Sequence, residues 1–142
     1  MIQRVEQVSM MEPESVFLMS GINDVGYLSL MHFQSLYNQL VTTIIEQVPG
    51  TVLFLQSILP VNDYDYSVSC DNKSITAYNK SIESIANKHN LEYLDLYSQY
   101  AVDGLMPAEK TVDGLHLRPE GYCLWYSFLR QTISKVKFAN HV

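Results

Sequence analysis

The stretch that decides the fold is Ser15-Val16-Phe17-Leu18-Met19-Ser20-Gly21-Ile22-Asn23-Asp24. Its first five residues form a nearly continuous apolar run, as expected for a short strand covered on both faces of a parallel sheet. Gly21 stops the run and permits a sharp turn, which places Asn23 and Asp24 directly beyond the strand's carboxyl end. In an open parallel sheet that end is where ligands bind. On spacing alone the segment is also an ordinary turn, because Asn and Asp are favoured there for local reasons.

Outward from this stretch, apolar runs alternate with amphipathic helices, the pattern of a parallel α/β sheet. Residues 2–11 read as the tail of a helix that ends before Pro13. Phe33, Leu36, Tyr37, Leu40, Val41, Ile44, Ile45 and Val48 recur at helical spacing within 28–48, and Pro49-Gly50 ends that helix. Thr51–Leu55 is the second expected strand. Pro60 opens a polar loop over 61–70, in which Asp63, Tyr64, Asp65 and Tyr66 read as a solvated segment. Asp71 suits the N-cap of a helix over 72–89. Leu91–Leu96 reads as the third strand. A Gly-containing stretch over 102–115 leads to Pro119, suited to the first turn of a last helix. The apolar positions of that helix are Tyr122, Trp125, Phe128, Leu129, Ile133 and Val136.

The second chemically suggestive segment is Asp113-Gly114-Leu115-His116-Leu117-Arg118-Pro119. A carboxylate three residues before a His can accept its Nδ1–H, fix the tautomer and leave Nε2 as a general base. By itself, Asp-x-x-His also describes a helix-entry loop in which Asp113 caps a turn and His116 is exposed. Ser20 and Ser57 end strands and read as backbone-bonded serines. His32 and His89 read as surface or boundary residues, and His141 as part of a terminal tail.

The two segments, in this order, resemble the blocks of the SGNH (GDSL-type) hydrolase family. Phe17 to Gly26 is similar to the family's strand ending in Gly-x-Asn-Asp, and Asp113-Gly114-Leu115-His116 with Pro119-Glu120-Gly121-Tyr122 to its Asp-x-x-His block. Gln56 to Asn62 resembles the second strand and its exit. The likeness runs from about residue 2 to about 135. It implies a three-layer α/β/α, flavodoxin-like fold with a parallel sheet. It also implies carboxylic ester hydrolysis through an acyl-enzyme. In that scheme Asn23 is an oxyanion donor, Asp113 orients the base His116, and Gly21 and Asp24 contribute to substrate binding.

The family's Gly-Asp-Ser nucleophile block has no counterpart. None of the six glycines begins a Gly-Asp-Ser, and there is no Gly-x-Ser-x-Gly. The βαβ unit that would carry the block needs at least ~30 residues, and only about 15 precede the first strand. The expectation is therefore one partial, N-terminally truncated SGNH domain over 1–142, with the nucleophile unknown and little activity alone. The alternative is a non-catalytic binding or scaffold module that keeps the fold. With the front strands lacking, residues 15–20 become an apolar sheet edge, a template for self-association.

Composition bounds the rest. The 142 residues are 47% hydrophobic and 17% charged, as in a globular domain. A net charge of −6 without any Lys/Arg cluster excludes nucleic acid as an expected partner. Ten tyrosines are many for this length, and some are expected at a site or interface. No run approaches the ~18 apolar residues of a membrane span. Met1-Ile2-Gln3-Arg4-Val5-Glu6 lacks the apolar core of a signal peptide, which makes a cytoplasmic protein the default expectation. Cys70 and Cys123 read as isolated thiols. No His/Asp/Glu set has metal-ligand spacing, so neither metal nor cofactor is expected, and the expected partner is a small ester.

Overall fold

The computed structural model describes residues 2–139, with side chains through Ser134. Val136 and His141 of the sequence reading lie outside the described side chains. Three parallel strands, β1 (Ser15–Leu18), β2 (Val52–Gln56) and β3 (Glu92–Leu94), form a sheet of order β1-β2-β3. Phe17 faces Phe54 and Leu18 faces Leu55 in the first pair, and Leu55 faces Tyr93 in the second. The central strand is the most apolar one, and Leu53 to Gln56 are all buried. Side chains alternate along it, so Leu53 and Leu55 enter one layer and Phe54 and Gln56 the other.

Helix α1 (Val5–Ser9) precedes β1, after a single 3₁₀ turn over Ile2–Arg4. The crossovers are α2 (Leu30–Gln47) and α3 (Asn72–Lys88). Their apolar stripes meet Leu53 and Leu55 in the larger core, where Val41, Ile75 and Ile82 are fully buried. Burying one such side chain contributes about 1.5–3 kcal/mol. On the other face lie α4 (Leu96–Tyr100) and α5 (Pro119–Ala139). A smaller core there joins Leu96, Tyr100, Met106 and Leu117 to Trp125 and Phe128. The architecture is thus the expected α/β sheet with helices on both faces.

Local chemistry sets the boundaries. Asp71 caps α3 as expected, its Oδ1 accepting the Ser74 N–H at 2.8 Å. Helix α2 starts at Leu30 rather than 28, because the Ser29 hydroxyl accepts the His32 N–H. The third strand is shorter than the expected Leu91–Leu96. Asp95 accepts the Ser98 N–H at 3.1 Å and turns the chain into α4, whose Leu96 is fully buried. An apolar Leu at that position satisfies strand and helix patterns equally, so the cap decides. Among the described residues β1 pairs with β2 only, and Val16, Phe17 and Leu18 remain half-buried. No helix among the described residues is long and apolar enough to cross a membrane.

Candidate active site

The loop after β1 is built on glycine. Gly21 has φ +126°, and a Cβ there would lie 2.9 Å from both Ile58 Cδ1 and Phe33 Cε2. A side chain would therefore be strained and would collide with the core. The Gly21 carbonyl accepts the Asp24 and Val25 N–H groups at 2.8 and 3.2 Å, closing a 3₁₀ turn over Ile22–Asp24 that presents Asn23 to solvent. The far end of this loop is held from α3, where the Tyr78 hydroxyl donates to the Leu28 carbonyl.

The second segment is organised by one carboxylate. Asp113 Oδ1 accepts the backbone N–H of His116 at 2.8 Å and of Leu115 at 3.1 Å, while Oδ2 lies 2.7 Å from His116 Nδ1. The same carboxylate therefore caps the turn and contacts the imidazole. The His116 backbone N–H, then the imidazole and the Leu115 N–H, hold the Asp113 carboxyl down to about 2. All three favour the charged form. The His116 carbonyl in turn accepts the Thr111 hydroxyl and the Val112 N–H, each at 2.9 Å. Both side chains are accessible, 72% for His116 and 52% for Asp113.

The polar loop over 61–70 does more than face solvent. Asn62 N–H donates to the Gly114 carbonyl at 2.8 Å, and a Cβ on Gly114 (φ +86°) would meet Tyr66 Cβ at 2.7 Å. The Asp113–His116 turn is thus seated on Asn62 and Tyr66. Two asparagines of α3 fix the segment leading into that loop. Asn79 accepts the Ile58 N–H at 2.8 Å and donates to the Ile58 carbonyl at 2.9 Å. Asn72 does the same for Val61, at 3.0 and 2.8 Å. Neither asparagine is marked by sequence pattern, since their partners lie 11 and 21 residues away.

Asn23 and His116 line one cleft of about 270 Å³, with Ser20 beside Asn23. Gly21 is buried beneath the turn. Asp24 does not join them; it lines a separate cavity with Phe33, Tyr37 and Leu40 on the α2 side. Ser57 is fully buried, and its Oγ accepts the Tyr97 N–H at 2.7 Å, the expected strand-end role. His89 is partly buried, with Nε2 3.1 Å from Asn38 Oδ1. One wall of the cleft comes from α5. Tyr122 and Trp125 stack there with centroids 6.2 Å apart, and the Trp125 indole N–H donates to the buried Gln56 Oε1 at 2.8 Å. The Tyr100 hydroxyl ties the start of α5 down by donating to the Gly121 carbonyl at 2.6 Å.

Comparison with known proteins gives a consistent assignment. The family described as GDSL-like Lipase/Acylhydrolase matches residues 1–124. Among solved structures, a Streptococcus pneumonia protein provisionally described as a platelet activating factor is 25% identical. It aligns over 84% of this chain and 59% of its own, with a TM-score of 0.78. A GDSL-like lipase from Bacteroides thetaiotaomicron is 20% identical over 95% of this chain and 69% of its own, TM-score 0.76. The acetyl xylan esterase AlAXEase is 20% identical over 92% and 73%, TM-score 0.77. The last two likenesses concern the fold. This chain spans 59% of the length of the Streptococcus pneumonia structure. No curated protein matches the sequence.

Proposed function

We propose that this chain, which belongs to the GDSL-like lipase/acylhydrolase family, supplies the acid–base and oxyanion half of a carboxylic ester hydrolase working through an acyl-enzyme. The observation that carries the reading is the 2.7 Å contact of Asp113 Oδ2 with His116 Nδ1, on the rim of the cleft that Asn23 also lines. Asp113 fixes the Nδ1–H tautomer, which leaves Nε2 to accept a proton. A serine hydroxyl attacks the ester carbonyl and gives its proton to Nε2, and the Asn23 amide donates to the oxygen that becomes negative. Collapse expels the alkoxide, which takes that proton from Nε2. Water then attacks the acyl-enzyme by the same two proton transfers, freeing the acid and the serine.

The 142 residues contain no Gly-Asp-Ser. Loss of a triad member lowers turnover by roughly 10⁴–10⁶-fold, so the 142-residue chain alone is expected to hydrolyse esters barely above background. The deciding experiment is labelling with a fluorophosphonate, read by peptide mass spectrometry beside His116→Ala. The expected result is no labelled serine. A single serine labelled only when His116 is present, with Ser20 the cleft-lining candidate, would overturn the inactivity and complete the mechanism. A serine labelled equally in His116→Ala would overturn the role of His116 and favour a scaffold that keeps the fold. We further propose that two copies of the chain associate through the unpaired edge of β1.

A further inference from the structure

The cleft beside His116 has a chemical character of its own. Apart from Ser20, Asn23 and His116, its lining is apolar or aromatic, and it includes no Asp, Glu, Lys or Arg. An anionic substrate arm would find no countercharge there, and the net charge of −6 opposes its approach. The volume of about 270 Å³ lies just below the range of drug-sized pockets.

The aromatic wall is fixed from beneath rather than merely exposed. Gln56, at the end of the central strand, is 2% exposed, and its Oε1 accepts the Trp125 N–H. Tyr122 stacks on the same indole at an interplanar angle of 11°. A buried amide with a single aimed acceptor sets the indole plane, and the ring pair then offers a rigid apolar surface.

We infer that this cleft receives a short, uncharged, apolar arm of the ester against the Tyr122–Trp125 wall, and that Trp125, held by Gln56, determines this preference. The inference rests on the ester-hydrolase reading of the site. Its test is independent of turnover, because Trp125 is the single tryptophan of the chain and its fluorescence reports this cleft directly.

The full chain is titrated at pH 8 with hexanamide, a neutral and hydrolysis-resistant probe, with hexanoate and with acetamide. Hexanamide is expected to give a saturable change, with hexanoate and acetamide at least ten-fold weaker. Tyr122→Ala, at a position already more than half exposed, is expected to weaken hexanamide several-fold. Gln56→Leu should shift the emission of the free protein and weaken hexanamide as well. Hexanoate binding as tightly as hexanamide, or no saturable change with hexanamide, overturns the inference. Saturable hexanamide binding together with a serine labelled equally in His116→Ala would instead sink the hydrolase reading and leave the cleft's preference standing.

Discussion

The carboxylate of Asp113 holds both the backbone and the ring of His116, with Oδ1 2.8 Å from its amide nitrogen and Oδ2 2.7 Å from Nδ1. One residue therefore shapes the turn and orients the imidazole, within a segment that is itself seated on Asn62 and Tyr66. This differs from a capped turn with a free His, where ring and backbone would be set separately. Three local bonds hold the pair although both side chains are exposed.

The ionisation of Asp113 follows from those bonds. Unfolded, the carboxyl titrates near its ordinary value of about 3.9. Folded, the His116 N–H, imidazole and Leu115 N–H depress it to about 2. The native state binds fewer protons between these values, so the contribution to stability is complete above about pH 4 and is lost as pH falls through 2. A ¹³C-carboxyl NMR titration should show Asp113 still ionised at pH 3. A midpoint near 4 would mean that the bonds do not persist in solution.

Two buried tyrosines should respond oppositely to loss of their hydroxyls. Tyr100 is fully buried, donates to the Gly121 carbonyl, and has its phenol pushed up to about 12 by burial. Tyr100→Phe should cost about 1–2 kcal/mol in urea denaturation, as it leaves a buried carbonyl short of a donor. The Tyr37 hydroxyl is also buried but has no hydrogen-bond partner among the described residues. Tyr37→Phe should be neutral or stabilising by up to about 1 kcal/mol, since it removes an unpaid desolvation.

Asn79 mimics a peptide group against Ile58, so its loss strands a buried donor and a buried acceptor together. At roughly 1–3 kcal/mol for each of the two unsatisfied groups, Asn79→Leu should cost about 2–6 kcal/mol despite similar volume. Chemical denaturation measures this. A cost below about 1 kcal/mol would show that the Ile58 segment finds other partners.

β1 is a sheet edge with half-buried Val16, Phe17 and Leu18. Exposed apolar edges favour pairing with another chain. Static light scattering at micromolar concentration is expected to give a dimer mass, and Phe17→Lys is expected to shift it towards monomer. A monodisperse monomer in the unaltered chain would dispose of the proposed association.

The order of the three strands and of helices α2, α3 and α5 was legible because its signals are local. The Leu53–Leu55 run, the Asp71 cap and the Asp113–His116 spacing each act within one turn or one strand, where neighbouring residues decide the outcome. Local signals also misled at Leu96, since apolarity there fits either a strand end or the first turn of a helix. Asp24 follows Asn23 in the chain but lines the cavity on the α2 side, because a 3₁₀ turn sends neighbouring side chains in different directions.

By itself, then, the sequence determined the parallel α/β class, the two loops that carry Asn23 and His116, and the pairing of Asp113 with His116. Only the tertiary structure decided what surrounds them. Gln56 and Trp125 meet across 69 residues, and Asn79 reaches Ile58 across 21. Gly114, already at a positive φ of +86°, also has no room for a Cβ because Tyr66 and Asn62 pack against it. Such contacts leave no periodicity in the chain. They arise when buried polar groups, brought together by packing of the apolar faces, must satisfy one another.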